Sequence, residues 1–364
     1  MKSSVLFKSS DDAAVVVDIP RSLEEAQVLP GRDITRRIVS TEPRETPWQT
    51  PEPKKDTGKY VSPSAAIAEL MTLESVKAAL DVVRASYDGP WCLPRVTRSR
   101  ENESEPPKVD ADVGTDAARL RKRKRKPPLL TSEEDKKKEA NSTSPHIPEQ
   151  SHHLLGTIES QREAFLQEAP RFDLIVLDPP WPSRSVKRKS DRYATVYSTE
   201  EAGELLSQIP VASHLKPDGL VAIWVTNKAA IADLLTAPGG VLAQWGLEPI
   251  GEWIWLKITS SGEPILDIES AWRKPWERLL IARKIGSCVL LPTSTKVILS
   301  VPDVHSRKPN LRGLFYDILP ENYIGLEAFA RNLTAGWWSW GNEVLFFQQG
   351  YHWVPLEDEG NDRL

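Results

Sequence analysis

The sequence predicts an α/β fold: a mostly parallel sheet with helices on both faces, preceded by a smaller ordered segment. Three observations carry that reading. In the C-terminal half, unbroken apolar runs such as Leu174-Ile175-Val176-Leu177 and Leu220-Val221-Ala222-Ile223-Trp224-Val225 alternate with helical segments. Strands apolar on both faces are the mark of a sheet covered on both sides, which is where parallel strands occur. Eleven of the 13 tryptophans lie between Trp181 and Trp353, so the large buried surfaces belong to this half. Finally, Asp178 is followed by Pro179 and Pro180, which cannot donate to a ladder and stop the first of these strands.

Taken in order, Val5-Leu6-Phe7 and Ala14–Ile19 read as strands, and Ser22-x-x-Glu25 has the form of a capping box opening a short helix. Residues 1–39 are therefore expected to be an α/β segment packed on the second half. Pro43, Pro47, Pro51 and Pro53 make residues 40–60 a Pro-rich linker. In residues 61–93, Ile67, Leu70, Leu73, Val76, Leu80 and Val83 recur at helical spacing and predict an amphipathic helix with one buried stripe. Residues 94–150 are so poor in aromatic and long aliphatic side chains that they read as a disordered basic insert. Residues 151–355 form the main domain and 356–364 an acidic tail. Within the domain, Thr199–Gln208 is helical with Ser198 or Thr199 as cap, and Asn227 is expected to cap a helix over Lys228–Leu235. Further apolar runs follow at 252–258, 278–282, 323–329 and 343–347.

Composition narrows the function. Residues 1–150 carry 26 basic and 25 acidic side chains, and residues 151–364 carry 21 and 26, so the main domain is acidic. A broad electrostatic clamp on nucleic acid is thereby excluded, and any such contact is local. No apolar run approaches the ~20 residues of a membrane span. The chain reads as soluble, with no signal peptide at its start. Cys92 and Cys288 lack the paired spacing of a metal site. Seven basic residues in the eight positions Arg119–Lys126 read as a nuclear import signal or a phosphate-binding arm inside the insert; a solvated charge run is the plain alternative.

The chemistry concentrates at Asp178-Pro179-Pro180-Trp181. At the carboxyl end of a strand, where open sheets of this kind bind ligands, a carboxylate, prolyl carbonyls and an indole together suit a planar base bearing an exocyclic amine: the oxygens accept its N–H groups and the ring stacks on Trp181. Asp178 and the Pro179 carbonyl could then turn the nitrogen lone pair toward a methyl donor, which is catalysis by positioning. Behind the tetrapeptide, Arg184, Lys187, Arg188, Lys189 and Arg192 precede Tyr193, a basic, aromatic-bearing loop suited to nucleic acid.

The series Leu174–Trp181, Ser185–Arg188 with Arg192-Tyr193, Ile223–Asn227, Glu252–Thr259, Lys274–Glu277, His305–Pro309, Glu327–Leu333 and Gly336–Glu343 resembles the MT-A family of adenine N(6) methyltransferases, closest to its methyltransferase-like protein four branch. The resemblance spans roughly residues 150–350. It implies a Rossmann-like class I methyltransferase sheet with permuted motif order, in which the catalytic strand precedes the cofactor strand. It implies S-adenosyl-L-methionine as cofactor and, as acceptor, an adenine in DNA or in a small nuclear RNA. Carried onto this chain, it makes Asp178, Pro179, Pro180 and Trp181 catalytic, and Tyr193, Lys187, Arg188, Glu277 and Lys308 substrate-binding. Asp178, Lys308, Arg331, Asn332, Asn342 and Glu343 become the cofactor set, with Glu327–Arg331 the cofactor strand and its turn. Lys308 falls just ahead of a helix started by Pro309. No metal is implied, no G-x-G-x-x-G is present, and a partner subunit is not required.

Two departures stand out. The family's His-Asn pair after the cofactor-strand arginine is replaced by Asn332-Leu333-Thr334, and its adenine-binding acidic position falls on Thr157 or Gly156. The competing readings are a catalytically silent scaffold subunit, though such relatives lose the Asp of the tetrapeptide, and a small-molecule or protein amine methyltransferase. A nuclear location is expected from the basic run.

Overall fold

The computed structural model of the chain describes residues 3–49, 63–98, 144–182, 196, 198–270, 273–292 and 294–356. The N-terminal segment forms β1 (Val5–Lys8), β2 (Ala14–Val17), α1 (Ile19–Glu25) and β3 (Arg36–Ile38), followed by the long helix α2 (Pro63–Ser86). The main domain continues with β4 (His152–Leu155), α3 (Ile158–Glu168), β5 (Phe172–Leu177), α4 (Thr199–Ser207), β6 (Leu215–Val225) and α5 (Ala229–Thr236). Then come β7 (Leu247–Lys257), β8 (Trp276–Lys284), β9 (Val297–Ser300), β10 (Gly325–Ala328), β11 (Trp338–Gly341) and β12 (Trp353–Pro355).

Ten of these strands make one sheet in the order β1-β2-β9-β7-β8-β6-β5-β10-β11-β4, while β12 pairs with β3 apart from it. Within the ten-stranded sheet only the β1–β2, β6–β8 and β7–β8 pairings are antiparallel. The mostly parallel α/β sheet expected from the sequence is thus the observed one. N-terminal β2 adds directly to β9 in parallel register, so the first segment extends the main sheet. Because β5, β6, β7, β9, β10 and β11 all run the same way, their carboxyl ends share one edge.

Alternate residues of each strand serve opposite faces. On one face Ile175, Leu177, Val221, Ile223, Leu326 and Trp340 pack under α3, α4 and α5. Leu174, Val176, Ala222, Trp253 and Trp255 pack on the other face against α1 and the 311–323 segment. Helix α2 covers β2, β7 and β9 through Val76, Leu80 and Val83.

The structure corrects several local expectations. Asp18, not Ser22, caps α1, accepting from the Arg21 N–H at 2.8 Å, because the strand ends at Val17 and the chain turns one residue later. Ser22 instead bonds the Ile19 carbonyl, and Glu25 accepts from the Ser4 N–H. Asn227 does not cap α5; its amide donates to the Trp276 carbonyl at 3.0 Å, tying β6 to β8. The apolar stripe of α2 is buried only in its second half, since Ile67 and Leu70 are 59% and 58% exposed. The unfolded insert is narrower than residues 94–150: the Arg95 side chain and Pro148 are buried, and the His146 N–H bonds the Gln348 carbonyl. Its central part, 99–143, including the basic run, lies outside the described residues, as do 50–62 of the linker and 357–364 of the tail. Pro309 starts no α-helix; a 3-10 turn, Arg312–Phe315, follows instead. The apolar run at 343–347 leads into a 3-10 turn over Phe346–Gln348.

Trp340, fully buried on β11, stacks on Phe165 of α3 at 4.6 Å. Trp340→Ala should therefore cost about 3–5 kcal/mol; a loss under ~1 kcal/mol in urea denaturation would mean that this layer collapses around the cavity.

Candidate active site

Asp178 follows β5 directly, its N–H bonded to the Ala328 carbonyl of neighbouring β10 at 3.3 Å. Pro180 then bends the chain so sharply that the Trp181 N–H reaches the Pro179 carbonyl at 2.8 Å. The Pro179 carbonyl thus already accepts one bond and retains its second lone pair. Trp181 differs from expectation. Its indole N–H donates to the Trp224 carbonyl at 2.7 Å, its ring packs against the core, and it lines neither pocket described below. It anchors the tetrapeptide to the end of β6.

Lys308 binds Asp178 at 2.6 Å and reaches Glu277, at the start of β8, at 3.6 Å. Glu277 in turn holds Lys257, the last residue of β7, at 2.6 Å. The result is an alternating chain of charge, Asp178–Lys308–Glu277–Lys257, across the carboxyl edge of the sheet. Burial alone would lower the Lys308 ammonium, but Asp178 and Glu277 outweigh it and raise its pKa above the ordinary lysine value. Burial would raise the Glu277 carboxyl, yet Lys308 and Lys257 hold it below the usual carboxylate range. Glu277 lines neither pocket and meets them through Lys308.

The loop that carries Lys308 is fixed by a second buried cluster. Asp303 and Arg307, both with buried side chains, pair at 2.8 Å, and Arg95 approaches Asp303 at 3.8 Å. Asp303 also accepts from the Thr41 N–H at 2.9 Å, and Arg307 donates to the Val39 carbonyl at 2.7 Å. Between Arg307 and His305, Ser306 has φ +73°, a left-handed conformation costly for a residue with a Cβ. Phe329, in the turn after β10, is held at φ +61°. Both strained residues line the two pockets.

The wider pocket, of about 400 Å³, is lined by Asp178, Pro179, Pro180, His305, Lys308 and Phe329, with Arg331, Asn342 and Glu343 also in its wall. Arg331 and Glu343 pair at 2.8 Å. Gly341 brings the end of β11 against the 329–330 turn: a Cβ there would sit 2.9 Å from the Ala330 carbonyl oxygen, so only glycine permits the approach that places Asn342 and Glu343. A narrower pocket of about 30 Å³ lies behind, sharing Asp178, Lys308, Phe329 and Arg331 and adding Asn332 and Glu327. Loss of hydration and the charge of Asp178 push the Glu327 carboxyl up to about 7, against the opposing pull of Lys308.

The structure therefore gathers Asp178, Pro179, Pro180, Lys308, Arg331, Asn332, Asn342 and Glu343 in one place, with Glu277 one layer behind. Tyr193, Lys187 and Arg188 lie outside the described residues. Thr157, offered for the adenine-binding position, spends its hydroxyl capping α3, accepting from Ser160 at 3.1 Å. Glu327, which the resemblance gives only as the start of the cofactor strand, also lines the narrower pocket; a carboxylate between Leu326 and Ala328 in an apolar run is its signal in the sequence. Ser306 and Phe329 carried none, since neither residue type announces a positive φ.

A strand that ends in Asp-Pro-Pro beside a half-buried lysine, on the carboxyl edge of this sheet, defines a Rossmann-like methyltransferase. The chain belongs to the MT-A70 family, whose pattern matches residues 172–343. It is 48% identical over 359 residues to the N6-methyladenosine RNA methyltransferase MTA1 of Cryphonectria parasitica, covering 96% of this chain and 94% of that one. It is 46% identical over 383 residues to the protein of the same name from Pyricularia oryzae, covering 99% and 98%. The N(6)-adenine-specific methyltransferase METTL4 of Homo sapiens is 36% identical over 222 residues, covering 58% of this chain and 45% of the relative.

Glu327 yields a prediction with a definite sign. Its folded-state pKa of about 7 lies above the ordinary value of 4.5, so the folded protein binds the extra proton and stability falls as pH rises from 4.5 through 7. Glu327→Gln should therefore be more stable than wild type by roughly 1–3 kcal/mol at pH 8 and equal to it near pH 4. Denaturation curves at the two pH values check this, and a constant difference would assign the effect to packing.

Proposed function

We propose that this chain methylates the N(6) amine of an adenosine in RNA, with S-adenosyl-L-methionine as donor. The observation that carries the reaction is the Asp178 carboxylate, fixed at 2.6 Å by Lys308 beside the prolyl carbonyls and opening onto a cleft of about 400 Å³. The choice of RNA is supported by the relatives that match this chain nearly end to end, which carry the name N6-methyladenosine RNA methyltransferase.

The side chains around the cleft fit the cofactor. Asp178 and Glu327 offer acceptors for an ammonium, Lys308 a cation for a carboxylate, and Asn342 with the outer oxygen of Glu343 a donor and acceptors for a ribose diol. Arg331 holds Glu343 in place, and Asn332 closes the inner wall. When bound, S-adenosyl-L-methionine supplies a methyl group on a sulfonium, already activated for attack by nitrogen.

The adenine amine is a weak nucleophile because its lone pair is delocalised into the ring. Asp178 and the free lone pair of the Pro179 carbonyl accept the two N–H bonds and so orient that lone pair out of the ring plane. This is a contribution of alignment, and alignment is sensitive to displacements of about 1 Å. Lys308 keeps Asp178 at its station, while Glu277 and Lys257 keep Lys308 at its own. An unpaired adenosine is the easier acceptor, since a base in a duplex must first be unstacked at a cost of a few kcal/mol. The basic run Arg119–Lys126 supports a nuclear location for the enzyme.

Asp178→Asn tests the reading directly. It should reduce methyl transfer to an adenine-containing oligoribonucleotide to background while S-adenosylhomocysteine binds within a few-fold of wild type by calorimetry. Retained transfer would remove Asp178 from the chemistry.

A further inference from the structure

We infer that Arg44 and Trp48 form an accessory stacking platform for an unpaired nucleobase flanking the target, on the same edge of the sheet as Asp178. The inference rests on the proposed RNA activity and extends it to a surface outside the cleft.

Residues 41–49 contain no helix or extended strand, yet they are fastened in place. They run along the hairpin that follows β7, whose Ile258 and Pro264 form an antiparallel bridge. The Ser260 N–H bonds the Arg44 carbonyl at 2.8 Å, the Ser261 hydroxyl bonds the Glu45 carbonyl at 2.8 Å, and the Trp48 N–H bonds the Ile265 carbonyl at 2.9 Å. The hairpin itself rests on Trp91: a Cβ on Gly262 would meet that indole at 2.3 Å. A segment read from sequence as linker is therefore a strap with a defined position.

What the strap displays is unusual in this molecule. Trp48 is 53% exposed, the one exposed tryptophan among the described residues. The Arg44 guanidinium lies 4.2 Å from the centre of its ring, and no ion pair to Arg44 is present among the described residues. An indole of this size gains by burial. A guanidinium laid on it adds a flat cationic surface of the kind that stacks on bases.

The location suits the reaction. The Ile265 N–H bonds the Lys257 carbonyl, and Lys257 begins the charge chain that ends at Asp178. Two hydrogen-bonded steps of about 4.8 Å each separate the Trp48 backbone from that of Lys257. That is about three stacking steps of 3.4 Å, and Asp178 at the end of β5 lies a further three strands along the same edge. The strap carries Glu42 and Glu45 against Arg44, so it is no phosphate clamp, and recognition there comes from stacking, which tolerates any base.

The test compares full-length wild type, Trp48→Ala and Trp48→Phe on two RNAs with one central adenosine: a trinucleotide and a fluorescently labelled 13-mer. Binding is read by anisotropy and transfer by tritium incorporation. Trp48→Ala should bind the 13-mer roughly five- to twentyfold more weakly. The KM for the 13-mer should rise in step, with kcat and the salt slope of binding unchanged. The trinucleotide should be unaffected, and Trp48→Phe should recover most of the loss. Equal binding of the 13-mer by wild type and Trp48→Ala overturns the inference and leaves the pair to a protein partner. Equal losses on both RNAs also overturn it, because Trp48 would then act through the cleft. If wild type binds the 13-mer in a Trp48-dependent way but methylates neither RNA, the platform stands and the proposed activity fails.

Discussion

Every part of the site depends on one half-buried cation. Lys308 sits between Asp178 at 2.6 Å and Glu277 at 3.6 Å, with Glu327 beyond Asp178 on the neighbouring strand. Without that charge, three carboxylates would crowd one strand edge at low dielectric, where like charges repel strongly. A half-buried ion pair of this sort adds little to stability by itself, because desolvation offsets much of the attraction. Its value is geometric: the lysine fixes where the Asp178 oxygens point.

The surrounding fold can be understood as the means of keeping Lys308 in place. It belongs to a loop between β9 and β10, and a loop left to itself would be mobile. Three separate regions restrain it. The Asp303–Arg307 pair locks the loop to Val39 and Thr41 of the N-terminal segment, Arg95 closes the same cluster from beyond α2, and Lys257 with Glu277 supports Lys308 from β7 and β8. The N-terminal segment thus completes the sheet through β2 and also buttresses the loop that carries Lys308. The strained backbone of Ser306 persists because this packing over-determines it.

The sheet was legible in the sequence because strands buried on both faces leave unbroken apolar runs, as β5 and β6 do. The tetrapeptide was legible because two prolines can end a buried strand only at its terminus. Roles that depend on long-range packing were not. Trp181 read as a base-stacking face, but nothing in its neighbourhood in sequence shows that the Trp224 carbonyl, 43 residues away, takes its N–H. Helix α2 showed six apolar positions in one stripe, and only the sheet's extent decides that the first two lie beyond it. Residues 41–49 looked like linker because proline excludes regular structure, which says nothing about hydrogen bonds to a distant hairpin. The Asp303–Arg307–Arg95 cluster joins residues some 200 apart and has no local signature.

In the proposed reaction Lys308 acts by holding Asp178 in register for the acceptor amine. The most direct measurement is the single-turnover rate of methyl transfer from S-adenosyl-L-methionine to an adenine-containing oligoribonucleotide by Lys308→Met, with both ligands saturating so that binding does not enter. The expected result is a fall of about 100-fold or more, in line with the sensitivity of aligned reactions to small displacements, in a variant whose melting temperature shows that it is folded. A Lys308→Met enzyme that transfers methyl at the wild-type rate under saturation would contradict it.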